Sequence, residues 1–506
     1  MKNIENKKIA IVGGGPGGLT LARLLQLGGA DVKVYERDVN KDVRVQGATL
    51  DLHDDSGLKA LAKAGLMEAF KANYRPGADR TRIVDKHAQI VLDENVDAAD
   101  EFSAYSRPEI DRGPLRKILL ESLQPGTVVW NSHILSLTPV GDSSSAAASL
   151  ATGSLSAAGA SSSVGASSTT GSLSAAGASS SVGASSATGS SSIVGDSSME
   201  GTPSLAGSSS STGNWSSVGA SSSVTSSSAV GDSSSAAASS ATGSLSAAGA
   251  SSSVGASSTT GFSWTLIFQN GESATADIVI GADGANSKIR PLLTPIRPWF
   301  VGMTAVEGAV YEAEKTAPRI YDLLQGGKIF AFGDEKSLIV SSKGDGSMSF
   351  YIGFKTEEFW FRTCGIDFTD KAQVLDWFIR EFSGWDPVWR ELFENASTPF
   401  IPRPQYCMPL DQSWTAQPNL TLLGDAAHLM PPYAGEGVNM AMLDALELSQ
   451  FLVSDEFPDL SAAIAAYEKQ MSLRFAEVGQ MTLEQTVSLH SPDAIANMVA
   501  MFGPHG

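Results

Sequence analysis

Lys8-Ile9-Ala10-Ile11-Val12-Gly13-Gly14-Gly15-Pro16-Gly17-Gly18-Leu19-Thr20-Leu21-Ala22-Arg23-Leu24-Leu25 is the stretch that decides the fold. It reads as a short buried strand, a glycine turn and the start of a helix. A second strand follows at Val32-Lys33-Val34-Tyr35 and ends on Glu36. A bare Gly-x-Gly-x-x-Gly says little, but strand, glycines, helix, strand and terminal acid in this order define a dinucleotide fingerprint. Gly13, Gly15 and Gly18 allow a tight turn and a close approach of backbone to a pyrophosphate. Pro16 opens the helix, whose free N–H groups and positive dipole end suit phosphate. Glu36 is placed to accept from an adenosine ribose and disfavours a 2′-phosphate, so a resident FAD or NAD fits better than NADP.

Some 400 residues later the chain reads Gly424-Asp425-Ala426-Ala427-His428, then Leu429-Met430-Pro431-Pro432-Tyr433-Ala434-Gly435-Glu436-Gly437-Val438-Asn439. The strand Asn419–Leu423 leads into Asp425, whose carboxylate can bond a ribityl hydroxyl. The glycines at 435 and 437 let backbone lie against a flat ring. A helix N-terminus there would stabilise negative charge on a reduced flavin. His428 invites a role as catalytic base, but a structural role in the turn is the preferred reading. Between the two motifs, Ile278-Val279-Ile280-Gly281-Ala282-Asp283-Gly284 is another strand-to-turn junction, where Asp283 can orient backbone donors or a water. Taken alone it is a common turn. Ile110-Asp111-Arg112 begins a helix with apolar residues at 115, 118 and 119. Arg112 stands at the end that disfavours a cation, which points to a ligand, with a surface arginine as the plain alternative.

Composition bounds the rest. The 506 residues allow about two to four domains. With 35 Lys+Arg against 54 Asp+Glu the net charge is −19, which repels phosphate backbones and argues against nucleic acid as a partner. Two cysteines, Cys364 and Cys407, are too few for a disulfide framework or a zinc site. There is no signal-peptide pattern and no run of about 18 apolar residues, so a cytoplasmic monomer without membrane contact is expected.

Residues 142–261 are almost wholly Ser, Ala, Gly and Thr, with no Lys or Arg and one aromatic residue, Trp215. Such a composition cannot offset its chain entropy by burial, so disorder is the expectation. The tract is also repeated. Val140–Gly171 recurs as Val230–Gly261 with Leu150 replaced by Ser240, and Gly153–Gly171 recurs as Gly171–Gly189 with Thr169 replaced by Ala187. These copies read as repeat expansion rather than a stacked solenoid, because regular large apolar residues are missing. Strand patterns flank the tract at Trp130–Thr138 and Phe262–Gly271, so it reads as a swollen hairpin loop, which costs little loop-closure entropy. A glycosylated stalk is the alternative.

The fingerprint with its terminal acid, the Asp-Gly turn and the Gly-Asp-Ala-Ala-His segment together resemble the class A FAD-dependent monooxygenases, the para-hydroxybenzoate hydroxylase-like superfamily. Within it the chain is most similar to the tetracycline-inactivating monooxygenases, through Val34-Tyr35-Glu36-Arg37-Asp38, Gly47-Ala48-Thr49-Leu50-Asp51-Leu52-His53 and His428–Asn439. The resemblance implies an α/β fold: a Rossmann-like FAD domain, a sheet-based substrate domain and a C-terminal helix. The FAD domain would take 1–141 (with about 64–97 given to the substrate domain), 262–295 and 403–458. The substrate domain would be 296–402, and 459–506 the helical segment, where Tyr467, Met471, Phe475 and Val478 keep helical spacing. Glu36 and Arg37 would contact the adenosine half and Arg112 the FAD chain. Asp51 would lie near the isoalloxazine, Asp425 would hold the ribityl and pyrophosphate region, and Pro432, Gly435, Gly437, Val438 and Asn439 would line the ring.

NADPH or NADH would visit transiently to reduce FAD. O2 would then react to give a C4a-hydroperoxide that hydroxylates an electron-rich aromatic or polycyclic substrate. A tetracycline-like substrate, and with it antibiotic resistance, would follow from the subgroup. Where that subgroup carries Gln, Arg and His against its substrate, this chain has Glu307, Lys328 and Ser349, so another substrate is open. A flavin halogenase, a dehydrogenase and a Ser-rich structural protein are the rival readings. The halogenase Trp-x-Ile-Pro signature is absent, and a dehydrogenase would not need Gly424–Asn439.

Overall fold

The computed structural model describes residues 3–43, 49–94, 107–140 and 263–502, together with the backbone of short strands between 144 and 246. Gly47 and Ala48, and residues 95–97, therefore lie outside the described residues. The chain divides into one unit of residues 1–133 and 279–506 and a second of 134–278.

In the first unit the fingerprint builds a five-stranded sheet. Its order is Leu420–Leu422, Ile278–Gly281, Lys8–Val12, Asp31–Tyr35 and Val128–Val129. Lys8–Val12 pairs parallel with Asp31–Tyr35, which pairs parallel with Val128–Val129. The near-continuous apolar runs Ile9–Val12 and Ile278–Ile280 are almost wholly buried, as parallel strands covered on both faces must be. The helices Pro16–Leu27 and Glu436–Val453 pack against each other. A Cβ on Gly17 would stand 2.9 Å from the Ala441 carbonyl oxygen, so that helix contact requires glycine.

A seven-stranded sheet occupies the same unit, in the order Ser397–Cys407, Trp299–Val310, Met348–Lys355, Lys336–Ser342, Lys328–Gly333, Thr81–Asp85 and Ile90–Asp93. All pairings are antiparallel except Lys328–Gly333 with Thr81–Asp85. Strand alternation gives this sheet two unlike faces. Val306, Val310, Ile329, Ala331, Leu338, Val340, Met348, Phe350 and Ile352 form one core with the helices Pro318–Leu324, Lys371–Glu381 and Arg390–Asn395. The opposite face carries Glu307, Lys328, Ser337, Ser341, Ser349 and Tyr351. Register places Lys328, Ser341 and Ser349 in one cross-strand row, and Ile339, Tyr351 and Glu307 in the next row on that face. The long helix Leu460–Leu489 buries Tyr467, Met471 and Phe475, and the helix Ala494–Phe502 follows it.

The second unit contains the antiparallel strands Ile134–Val140, Ser263–Phe268 and Ser273–Ala276. Val140 pairs with Ser263, so the low-complexity tract emerges from the end of a hairpin. Within the tract, the strand backbone pairs in parallel and always at the same sequence offset. Leu150 faces Ser168, Ser162 faces Ser180, Ser191 faces Ser209 and Ser216 faces Ser234. That offset is the spacing at which Gly153 recurs as Gly171 and Gly189. Parallel pairing satisfies backbone donors and acceptors chain to chain, so it aligns identical segments without a large apolar residue at each turn.

Candidate functional site

The phosphate end is built by sterics. A Cβ on Gly13 would lie 2.2 Å from the Ala282 carbonyl oxygen, and one on Gly18 would lie 2.2 Å from the Gly13 carbonyl oxygen. A Cβ on Gly15, which caps the helix Pro16–Leu27, would meet nothing within 4 Å. The loop is thus locked on one side and open on the other. The helix start has no side-chain cap and no acidic residue in its first turn, so its first N–H groups have no side-chain acceptor. Glu36 is 2 % exposed. Its Oε2 accepts from Gly14 N at 2.6 Å and its Oε1 from Asp38 N at 3.0 Å, which fixes the carboxylate at the end of its strand. Arg37 is exposed immediately beyond it.

The middle of the site joins three segments distant in sequence. Arg290 donates from Nε to the Ala426 carbonyl at 2.6 Å and from Nη2 to the Asp425 carbonyl at 2.8 Å. Asp425 is half-buried; desolvation raises its carboxyl above the usual range, against the charges of His428, Arg112 and Arg290. Arg112 is exposed at the first position of the helix Arg112–Glu121, with its charge turned to Asp425. Asp283 accepts from Lys288 N at 2.7 Å through Oδ2, while its buried Oδ1 has no hydrogen-bond partner. An uncapped helix start, an open glycine and an orphaned carboxylate oxygen along one path fit a dinucleotide such as FAD.

His428 is scaffolding, and its partner is not its own turn. Its Nε2 lies 2.5 Å from Asp444 Oδ2, which also accepts from Gly424 N at 2.8 Å. Arg474 holds the other Asp444 oxygen at 2.6 Å and also pairs with Glu447. All of Asp444 and nearly all of His428 is buried. This network ties the Gly424–His428 turn to the helix Glu436–Val453 and occupies His428 Nε2.

The ring end, so named for the flavin ring expected there, brings Gly435 and Asn439, of the expected stretch Pro432–Asn439, against the Asp51 segment. Gly435 has φ 72° and caps the helix Glu436–Val453, which has no side-chain cap. The Asp51 carboxylate lies where a Gly435 side chain would be, 2.9 Å from the ideal Cβ. Left-handed φ and this contact both demand glycine. Asn439 is fully buried. It accepts from His53 N at 3.0 Å and donates to the Asp51 carbonyl at 2.9 Å, so the motif's last residue ties two segments together.

The residues expected to face substrate separate. Lys328 pairs with buried Glu109, and despite burial, the charges of Glu109 and Asp51 keep its ammonium above its ordinary pKa. It therefore joins the ring end. Ser349 is 2 % exposed and its Oγ has no partner. Glu307 is held elsewhere on the face, by Arg403 and by the Tyr351 hydroxyl at 3.2 Å. Glu109, His53 and Glu436, which motif reading did not single out, contact Lys328, Asp51 and His53 respectively at this end. The spacing Asp51-x-His53 on an extended segment was the available signal, since alternate residues share a face.

Comparison with known proteins agrees with this geometry. The FAD binding domain family matches residues 6–135 and 412–467, segments that contain every residue expected from the sequence to bind the cofactor except Asp283. Those segments are similar to that family, and the fold of the chain matches that of solved FAD-containing monooxygenase structures. Over 143 residues it is 38 % identical to monooxygenase asqM of Emericella nidulans, an alignment covering 27 % of this chain and 31 % of that protein. It is 22 % identical over 491 residues to monooxygenase penA of Penicillium thymicola, covering 89 % and 86 %. The crystal structure of the tetracycline destructase Tet(55) superposes with a TM-score of 0.59 at 16 % identity, covering 98 % of this chain and 95 % of that one. Among the described residues, no helix is long and apolar enough to cross a membrane and no His, Cys, Asp and Glu group could hold a metal ion.

Proposed function

We propose that this protein is an FAD-dependent monooxygenase that uses NADPH or NADH and O2 to hydroxylate an electron-rich aromatic or polycyclic molecule. The observation that carries the reading is the ring end of the FAD motif. There the uncapped start of Glu436–Val453 and Asp51 adjoin Lys328, on the polar face of the seven-stranded sheet. Bound flavin would supply the redox and oxygen-transfer chemistry. The chain's own groups bind and orient. Gly13–Gly18 and Glu36 would hold the pyrophosphate and adenosine, with Arg37 and Arg112 beside them. Asp425 and Asp283 would hold the ribityl and phosphate region, and Pro432–Asn439 the ring. The apolar core beneath the sheet gives its polar face a rigid floor.

The substrate class is kept broad for a physical reason. Glu307 and Lys328 each spend their charge on an internal partner, which favours a neutral phenolic or polycyclic substrate over one recognised by free charges, and weakens the tetracycline reading. Purified protein should be yellow, and a screen with phenols and tetracyclines should find compounds that accelerate NAD(P)H oxidation with little hydrogen peroxide. A colourless protein that cannot be reconstituted with FAD refutes the proposal.

A further inference from the structure

His53 belongs to neither nucleotide motif, yet its ring stands between two carboxylates at the ring end. Nε2 is 3.1 Å from Asp51 Oδ2 and Nδ1 is 3.3 Å from Glu436 Oε1. A neutral imidazole carries one N–H and can donate to only one of them. Both contacts are favourable together only for the imidazolium. Burial lowers the ring's proton affinity, but the hydrogen bonds and charges of Asp51 and Glu436 outweigh it and raise the pKa to about 9. The remaining charges around the pair are Lys328 and Arg107, which face Asp51, and Glu109, which repels it. Beside this ionic bridge run the two Asn439 hydrogen bonds to His53 N and the Asp51 carbonyl. Asp51 itself abuts Gly435. Side chain and backbone thus fasten residues 51–53 to the first turn of Glu436–Val453 at three points.

We propose that His53 is a positioning residue of the flavin pocket: as a cation bridging Asp51 and Glu436, it holds the 51–53 segment against the helix start and offsets one of their two negative charges beside the flavin. It thereby sets how tightly flavin is held and how easily it is reduced. This rests on the flavin reading above. The sign of the pH dependence follows from the raised pKa: the bridge is complete below the ordinary histidine range and is lost as pH rises through about 9.

The test is FAD titration of the apoprotein by flavin fluorescence from pH 6 to pH 10, with midpoint potentials and apoprotein melting curves, for wild type and His53→Gln. Loss of a charge-assisted bridge should weaken FAD at pH 7 by about tenfold. It should flatten the fall in affinity that wild type shows as pH passes about 9, and move the flavin potential to more negative values. A His53→Gln protein with wild-type affinity, pH profile and potential overturns the proposal. Should that variant not fold, Glu436→Gln decides, since it keeps an acceptor but removes one charge: the pH midpoint of FAD affinity should move down, and an unchanged profile overturns the proposal. If wild type takes up no FAD at any pH, the flavin reading fails separately. The bridge is then judged by the apoprotein melts, where a wild-type pH dependence identical to that of His53→Gln overturns it.

Discussion

Replacing Asp444 by alanine is the sharpest perturbation of this site, because one fully buried carboxylate serves three donors. It accepts from Gly424 N at 2.8 Å, from His428 at 2.5 Å and from Arg474 at 2.6 Å. Burial would raise its pKa, but His428 and Arg474 hold it below the carboxylate range, so it is ionised in the folded chain. Summing three charge-assisted hydrogen bonds would give too much, since they share one acceptor. Breaking a buried pair by removing one partner costs about 3–5 kcal/mol. Two features favour the low end: Arg474 keeps Glu447, and His428 can shed its proton. At about 2 °C per kcal/mol for a chain this large, the melting temperature should fall by about 6–10 °C. Asp444→Asn should cost less, since an amide oxygen still accepts from Gly424 N. The assay is thermal unfolding with a double-mutant cycle against His428→Gln, whose coupling energy should reach about 0.5–3 kcal/mol. If Asp444→Ala melts within a degree of wild type, or the cycle shows no coupling, the network is not what holds the Gly424–His428 turn.

Other outcomes follow from neighbouring groups. Asp425→Ala should weaken FAD by about 1.5–3 kcal/mol, read as a Kd ratio, and an unchanged Kd would remove Asp425 from the pocket. Glu468 is held at about pKa 7 by burial, against its bond from Thr421. A raised carboxylate pKa means the folded chain keeps a proton that the unfolded chain has lost, so stability falls as pH rises from about 4.5 to 7. Glu468→Gln should therefore melt higher than wild type above pH 7 by about 1–2 kcal/mol after allowance for relaxation, and a variant less stable there contradicts the assignment. Excising residues 142–261 and closing the hairpin at Val140 and Ser263 should leave FAD binding intact, because those residues are already paired. Loss of soluble folded protein on excision would show that the tract supports the rest.

The sequence made the local parts of this molecule readable and concealed the cross-chain ones. Strand, glycine turn, helix and Glu36 sit within 30 residues, and each obeys a steric rule that acts at short range, so Lys8–Glu36 could be read directly. The same holds for the helix Leu460–Leu489, where Tyr467, Met471 and Phe475 keep one face. His428 could be assigned to scaffolding but not its partner, because Asp444 lies one helix away inside an ordinary amphipathic run. His53, Glu109 and Glu436 were invisible as a group. The Asp51-x-His53 spacing hints at one contact, but nothing short-range marks the second carboxylate, Glu436, at the far end of the chain. Lys328 and Glu307 could be named as substrate positions only through the resemblance, and their pairing with Glu109 and Arg403 depends on contacts no periodicity encodes. In the Ser-rich tract, composition spoke against stacking while the repeat spacing carried the pairing offset.

The Asn439 hydrogen bonds to His53 and Asp51 span 386 and 388 residues. During synthesis, residues 8–53 leave the ribosome long before the helix that completes their pocket exists. At about 5–20 residues per second the wait is about 20–80 seconds. The Ser-rich tract lies between the two segments in sequence, so every added repeat lengthens the interval in which Pro16–Leu27 stands without the helix Glu436–Val453 that packs on it. The contacts between residues 51–53 and Asn439 are therefore made late, and the length of the tract sets how late.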